Sequence, residues 1–215
     1  DIASNVMSQF ALRAGDLEHI TDVLVNTSNS ANTNVQQLAE AMKMAGPVAG
    51  AVGITLEETA AALGSLGDAG LQASLAGTNL RGIMSALLKP TGEARDAIAD
   101  LGLNAQELNP AFSSLTEIFD QFSASTFGAE EATAIFGRRN MAAALVLTRL
   151  NEKTKTLTET NKGLTGTAEE QARVMNDTLL GAWQELNSAV DEVILGVGDT
   201  GLNKFLRDIV DGMTE

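Results

Sequence analysis

Cysteine and tyrosine are absent from these 215 residues, tryptophan and histidine occur once each, and proline three times. Without cysteine there is no disulfide, no thiolate metal site and no cysteine nucleophile, and the redox compartment leaves no trace. A single histidine gives Ser–His–Asp catalysis and histidine-rich metal sites almost nothing to work with. Basic residues are scarce: 14 Lys and Arg stand against 28 Asp and Glu, a net charge of −14. Such a chain is a poor grip for a phosphate backbone. Long apolar runs are missing too. The most apolar stretches, 47–54 and 141–147, fall far short of the roughly 20 residues that cross a bilayer. No basic stretch followed by an apolar one marks a signal peptide. The sequence opens at Asp1 rather than Met and stops in a polar run at Glu215, which reads as a piece of a longer protein.

What is present is aliphatic and small. Hydrophobic residues make up 44%, 32 of the residues are Ala, and aromatics are only 4%. Small aliphatic cores suit close-packed helices, whereas sheets favour β-branched and aromatic side chains. Apolar residues recur at three- and four-residue spacings, and no segment alternates as a strand would. The expectation is an all-α protein. Its helices fall near 2–14, 16–25, 35–45, 56–69, 75–88, 92–101, 110–124, 129–136 and 141–150.

Breaks and caps delimit these segments. Gly15 separates the first two helices, and Asn26 to Thr33 is either a loop or a helical stretch of small residues. Gly46-Pro47 should stop the third helix. Thr55-Leu-Glu-Glu58 is a capping box in which Thr55 accepts the Glu58 amide and Glu58 reaches back. Gly70 should be the left-handed residue ending that helix, with Leu71 as its apolar contact, and Ser74 should cap the next one. The helices 56–69 and 75–88 then form a tight antiparallel hairpin, closed by Pro90. Gly64, Gly67, Gly77 and Gly82 lie inside it at about 1 kcal/mol each relative to Ala. Close approach of the two backbones would offset that cost. Asn109-Pro110 should open a helix bearing Leu115, Ile118, Phe119 and Phe122, and 141–150 should be a buried helix. The Thr-rich stretch 151–166 reads as a polar connector between a compact multi-helix module of antiparallel hairpins at 1–150 and a different region at 167–215.

That last region carries a strict heptad. Ala168, Ala172, Met175, Leu179, Ala182, Leu186, Ala189 and Val193 are spaced for a long amphipathic, coiled-coil-like helix with a narrow apolar seam. The seam could join copies of the chain or fold back onto its own core. Gly196 and Gly198 end it, and Leu202, Phe205, Leu206, Ile209 and Val210 begin a terminal helix.

Candidate chemistry is thin. His19 beside Glu18 lacks a second histidine and reads as a surface or half-buried residue. Glu57-Glu58 and Glu130-Glu131 sit near helix starts, where negative charge is favoured, and adjacent side chains diverge on a helix. Gly137-Arg138-Arg139 is the one dense positive spot. It could neutralise neighbouring acidic helices, meet a partner's carboxylates, or touch nucleic acid. No phosphate loop is present. Catalytic, cofactor and metal residues are therefore all expected to be none, and the chain is not expected to be an enzyme.

One ordered series of motifs goes further. Gly53-Ile-Thr-Leu56-Glu-Glu-Thr-Ala-Ala-Ala-Leu63, Ala69-Gly70-Leu71, Ala76-Gly77-Thr78-Asn79-Leu80-Arg81, Lys89-Pro90, Leu101-Gly102-Leu103 and Ile135-Phe136-Gly137-Arg138-Arg139 resemble the core region of bacteriophage tail tape measure proteins. Leu38 to Lys43 and the Ala-Gly-Pro47 run fit its preceding helices, so the likeness covers roughly 16–150. The resemblance implies a structural virion protein that sets tail length during assembly, occupies the tail-tube lumen and leaves it during DNA ejection. It implies Gly53, Leu56, Leu63, Gly70, Ala76, Gly77, Leu80, Arg81, Pro90, Gly102, Phe136 and Gly137 as structural motif residues. Implied partners are other copies of the chain (three by preference), the tail-tube protein, tip or hub proteins and, during assembly in the host cytoplasm, a tail assembly chaperone. Neither nucleic-acid binding by this segment nor a cofactor is implied, and membrane contact would come only through other parts of the parent chain. The implied location is the virion, in the tail lumen or at the tip. A helical domain of a phage-associated cell-wall hydrolase and a secreted helical effector or adaptor are the competing readings.

Overall fold

The computed structural model describes residues 2–164, which all belong to the first of two units, Asp1–Ala168 and Glu169–Glu215. The heptad seam and the terminal helix lie outside the described residues. Those described are all-helical, with no strand among them. The order is α1 (Ile2–Gln9), a 3-10 turn (Ala14–Asp16), α2 (Leu17–Ser30), α3 (Val35–Val52), α4 (Leu56–Asp68), α5 (Ala73–Leu88), α6 (Gly92–Asp100), α7 (Leu115–Ala124), α8 (Ala129–Arg149) and α9 (Asn151–Lys162).

Helix α4 is the axis of the body. From Leu56 to Gly67 all but one of its residues are buried, including Thr59, Ala60, Ala61, Ala62 and Ser65. A helix enclosed on nearly every side must carry small side chains so that neighbours can close in. Helices α2, α3, α5, α8 and α9 all pack against it. Larger side chains fill the periphery of the core, where Phe119, Phe122, Phe127 and Phe136 stack with ring centroids 4.5–6.2 Å apart.

Three helices end the same way. The amides of Gly53 and Ile54, of Gly70 and Leu71, and of Gly102 and Leu103 return to the carbonyls of Gly50 and Ala49, Gly67 and Leu66, and Ala99 and Ile98. The glycines hold φ of 85°, 82° and 72°. Each is a Schellman end, with the following aliphatic residue covering the last turn. Thr55 accepts the Glu58 amide at 3.3 Å as expected.

Several expectations fail for identifiable reasons. Helix α1 stops at Gln9, and the Leu12 amide bonds to the Met7 carbonyl at 2.9 Å. Helix α2 runs past Val25 to Ser30, so the helical one of the two alternatives for the stretch after Val25 holds up to that residue. Helix α3 runs through Gly46-Pro47 to Val52, because Pro47 lies on the exposed face, where water can satisfy the carbonyl it leaves unpaired. Ser74 does not cap α5, which begins at Ala73 after Gln72. Asn109 makes a turn through the Ala111 amide at 2.9 Å, and α7 starts only at Leu115. There the capping box is Ser114 with Glu117.

The expected hairpin of α4 with α5 is also replaced. Helix α5 packs chiefly along α3. Gln37 meets Gln72, and Ala41 meets Gly77, so the two helices advance in the same direction while α4 carries the chain back between them. The glycines do permit close approach, but to other partners. A Cβ on Gly77 would strike the Ala41 carbonyl oxygen, whereas Gly64 faces Thr27 and Gly82 faces Asn140.

Two features of the C-terminal half matter below. Helix α8 is broken at Gly137, whose φ of 73° and ψ of 161° belong to glycine alone. Asn140 bridges the break by donating to the Phe136 carbonyl at 3.0 Å. The segment beyond the break is half-buried rather than enclosed, with Ala143, Ala144 and Leu147 inward. Finally, Asn151–Lys162, read as an exposed connector, is helix α9. Its Asn151, Thr154, Leu157, Thr158 and Asn161 are buried against α4 and its neighbours.

Candidate functional site

Helix α9 docks mainly through hydrogen bonds, with Leu157 its one buried aliphatic side chain. Asn161, fully buried, accepts from Asn26 Nδ2 at 2.8 Å and donates to the Thr27 hydroxyl at 3.1 Å. Thr154 pairs with Ser65 of α4 at 2.8 Å. Asn151 donates to the Thr116 carbonyl and to Asp120, both at 2.8 Å. Lys153 reaches Asp68 at 2.5 Å. A buried network of this kind specifies one docking geometry, because any shift strands its donors and acceptors.

His19 closes one end of the network. Its Nε2 donates to Glu57 Oε1 at 2.6 Å, and its Nδ1 donates to the Leu164 carbonyl at 3.3 Å. With Glu57 ionised, both ring nitrogens face acceptors, and the two bonds form together only when the ring is doubly protonated. Burial alone would lower the pKa of His19. The Glu57 and Leu164 hydrogen bonds and the charges of Glu57 and Asp22 outweigh it and raise the pKa above 6.5. For Glu57 burial works upward, but His19, Thr55 and its own backbone hold the carboxyl below 4.5.

Next door an open cleft of about 580 Å³ is lined by Thr55, Glu58, Phe112, Lys155, Thr158 and Lys162. Burial pushes the Glu58 carboxyl up, against the pull of the Thr116 amide and hydroxyl that it accepts at 3.0 and 3.2 Å. Glu58 therefore does not reach back to complete its own capping box. Lys155 is held by Asp120 and Glu152, and Lys162 by Glu159. The cleft thus presents charges that already neutralise one another. Among the described residues no group of histidine and carboxylate side chains is arranged to hold a metal. No helix among them is long and apolar enough to cross a membrane.

The motif residues scatter into structural duties. Gly53, Gly70 and Gly102 end helices; Leu56, Leu63, Ala76, Leu80 and Phe136 are buried. Pro90 follows α5, Gly77 lies against α3, Gly137 breaks α8 and Arg81 is exposed. The structure brings two motif segments together across α5 and α8, where Gly82 makes room for Asn140. The α9 network went unread in the sequence. The signal that could have found it is a stripe of Asn151, Thr154, Thr158 and Asn161 at helical spacing.

Comparison with known proteins gives these duties a context. The family described as phage-related minor tail protein matches residues 1–138, well over half of the chain. The chain belongs to this family. The match spans α1 to α7 and ends just past the break at Gly137. Two curated relatives are similar over nearly the whole sequence. A tape measure protein of Pneumococcus phage Dp-1 is 31% identical over 213 residues, which are 96% of this chain and 18% of the relative. A probable tape measure protein of Escherichia phage P2 is 35% identical over 196 residues, 86% of this chain and 24% of the relative. The chain therefore spans only about a fifth to a quarter of the relatives it matches. No solved structure matches it.

Proposed function

We propose that this chain is the compact helical segment of a tail tape measure protein, a structural component of the virion that fixes tail length during assembly. The parent protein would fill the tail-tube lumen and leave it during DNA ejection. The observation that carries the reading is the similarity to two tape measure proteins over 96% and 86% of the chain. Its all-helical build supports it, since a helix supplies a fixed rise of about 1.5 Å per residue.

The fold adds a division of labour. Thr27 and Asn161 lie in hydrogen-bond contact although 134 residues separate them. A straight helix of that length would reach about 200 Å. Residues 2–164 therefore contribute little axial length and serve as a compact helical module within the ruler, facing tip or hub proteins. Copies would associate through the seam from Ala168 to Val193, three in number by preference, and the tube protein and an assembly chaperone would complete the partner set. The test is to delete whole helical turns from the parent protein outside this body and measure tails by electron microscopy. Tails should shorten by about 1.5 Å per residue removed, and unchanged tails would refute the ruler. Leu179→Asp should separately weaken association of the 215-residue chain while leaving the body folded; association as strong as that of the wild type would remove the seam.

A further inference from the structure

Arg81, Arg138 and Arg139 are exposed, and among the described residues none of them makes an ion pair. Arg138 and Arg139 are adjacent in sequence, the one dense positive spot in a chain with 28 acids and 14 bases. Arg138 and Arg139 begin the helical segment that follows the Gly137 break, where the positive end of the helix dipole disfavours them. Arg139 also lines a cleft of about 270 Å³ against α5, together with Ser74, Leu75, Thr78 and Asn79. Asn79 is only 3% exposed. Its Nδ2 donates to the Leu75 carbonyl at 2.9 Å, while its Oδ1 has no partner. Leu75, at the rim, is 51% exposed. The cleft thus calls for carboxylates, one N–H or O–H donor and an apolar contact.

The complement lies on the same chain. Glu93, Asp96 and Asp100 share one face of α6 at helical spacing; all three are exposed, and none makes an ion pair among the described residues. We propose that the cleft between α5 and the second half of α8 docks a second copy of this chain, which presents its α6 carboxylates to Arg81, Arg138 and Arg139. The contact is separate from the seam and independent of the tail role. It leaves each copy with both halves of a complementary pair, so that association relieves the unpaired charge on both.

Sedimentation velocity on the 215-residue chain tests it at low and high salt. The wild type should self-associate, less so at high salt. The Arg138→Glu/Arg139→Glu variant and the Glu93→Lys/Asp96→Lys/Asp100→Lys variant, each folded by circular dichroism, should each lose association by about tenfold or more. An equimolar mixture of the two should recover it, because each variant then meets its reversed partner. Asn79→Leu should weaken association without lowering the melting temperature. A monomeric wild type, variants that associate as the wild type does, or a mixture that stays monomeric would overturn the proposal. So would tighter binding of a 20-mer oligonucleotide than of a second copy, lost in the arginine variant.

Discussion

Deprotonating His19 should loosen the point where the described chain leaves α9. The ring bridges Glu57 on α4 and the Leu164 carbonyl, with Asp22 on its own helix and Lys162 and Glu58 nearby in charge. Its pKa in the fold lies above the ordinary 6.5. Its contribution to stability is therefore full below pH 6.5 and is lost as the pH rises through the higher, folded value. Glu57 behaves in the opposite sense. Its pKa lies below 4.5, so its contribution is present above that pH and lost as the pH falls through the folded value. The pair is strongest between these limits. A hydrogen bond to a charged group contributes about 1.5–3 kcal/mol. The side chains are 30% and 16% exposed, so solvent screening reduces this to roughly 1 kcal/mol. For a body of this size that is a fall in melting temperature of about 2–4 °C between pH 6 and alkaline pH. The protein has one histidine, so its NMR titration is unambiguous, and urea melts at both pH values give the energy. A titration midpoint at or below 6.5, or a pH dependence that survives in His19→Gln, would refute the bridge.

Other substitutions probe the packing. Gly77→Ala drives a Cβ into the Ala41 carbonyl oxygen; the helix-propensity gain of about 1 kcal/mol is outweighed by overpacking, and urea denaturation should show a net loss of about 2 kcal/mol. Gly70→Val meets no neighbour within 4 Å, so its cost is backbone strain alone at φ of 82°, about 1–2 kcal/mol by melting, and Gly70→Asn should cost less. Asn161→Ala strands the Asn26 amide and the Thr27 hydroxyl in a buried site; the loss should be about 2–3 kcal/mol, with faster hydrogen exchange in α9.

Local signals in the sequence predicted local structure well. Thr55, Gly70 and Gly102 act through bonds that span three to five positions, and such bonds can be read without a fold. Pro47 misled because its effect depends on which side of α3 faces water. The parallel arrangement of α3 with α5 was hidden because a glycine announces a close approach without naming its partner, and Ala41 carries no mark of that role. Helix α9 was hidden because its buried face is Asn and Thr with a single aliphatic residue, Leu157, and so shows no apolar stripe. The positive spot at 137–139 was visible, whereas the unpaired Asn79 beside it looks ordinary inside Ala-Gly-Thr-Asn-Leu-Arg.

The docking of α9 also orders events during synthesis. Its hydrogen-bond partners on α2 and α4 lie 85 to 135 residues earlier in the chain. At about 5–20 residues per second, roughly 5–30 s pass between the appearance of Thr27 and that of Asn161. Through that interval α4 is bare on the side α9 will cover, with Ser65, the Glu57 carbonyl and Thr27 facing water. The nascent body is thus built with an open flank that only its last described helix can close. Any factor that recognises this flank must act before α9 docks and covers it.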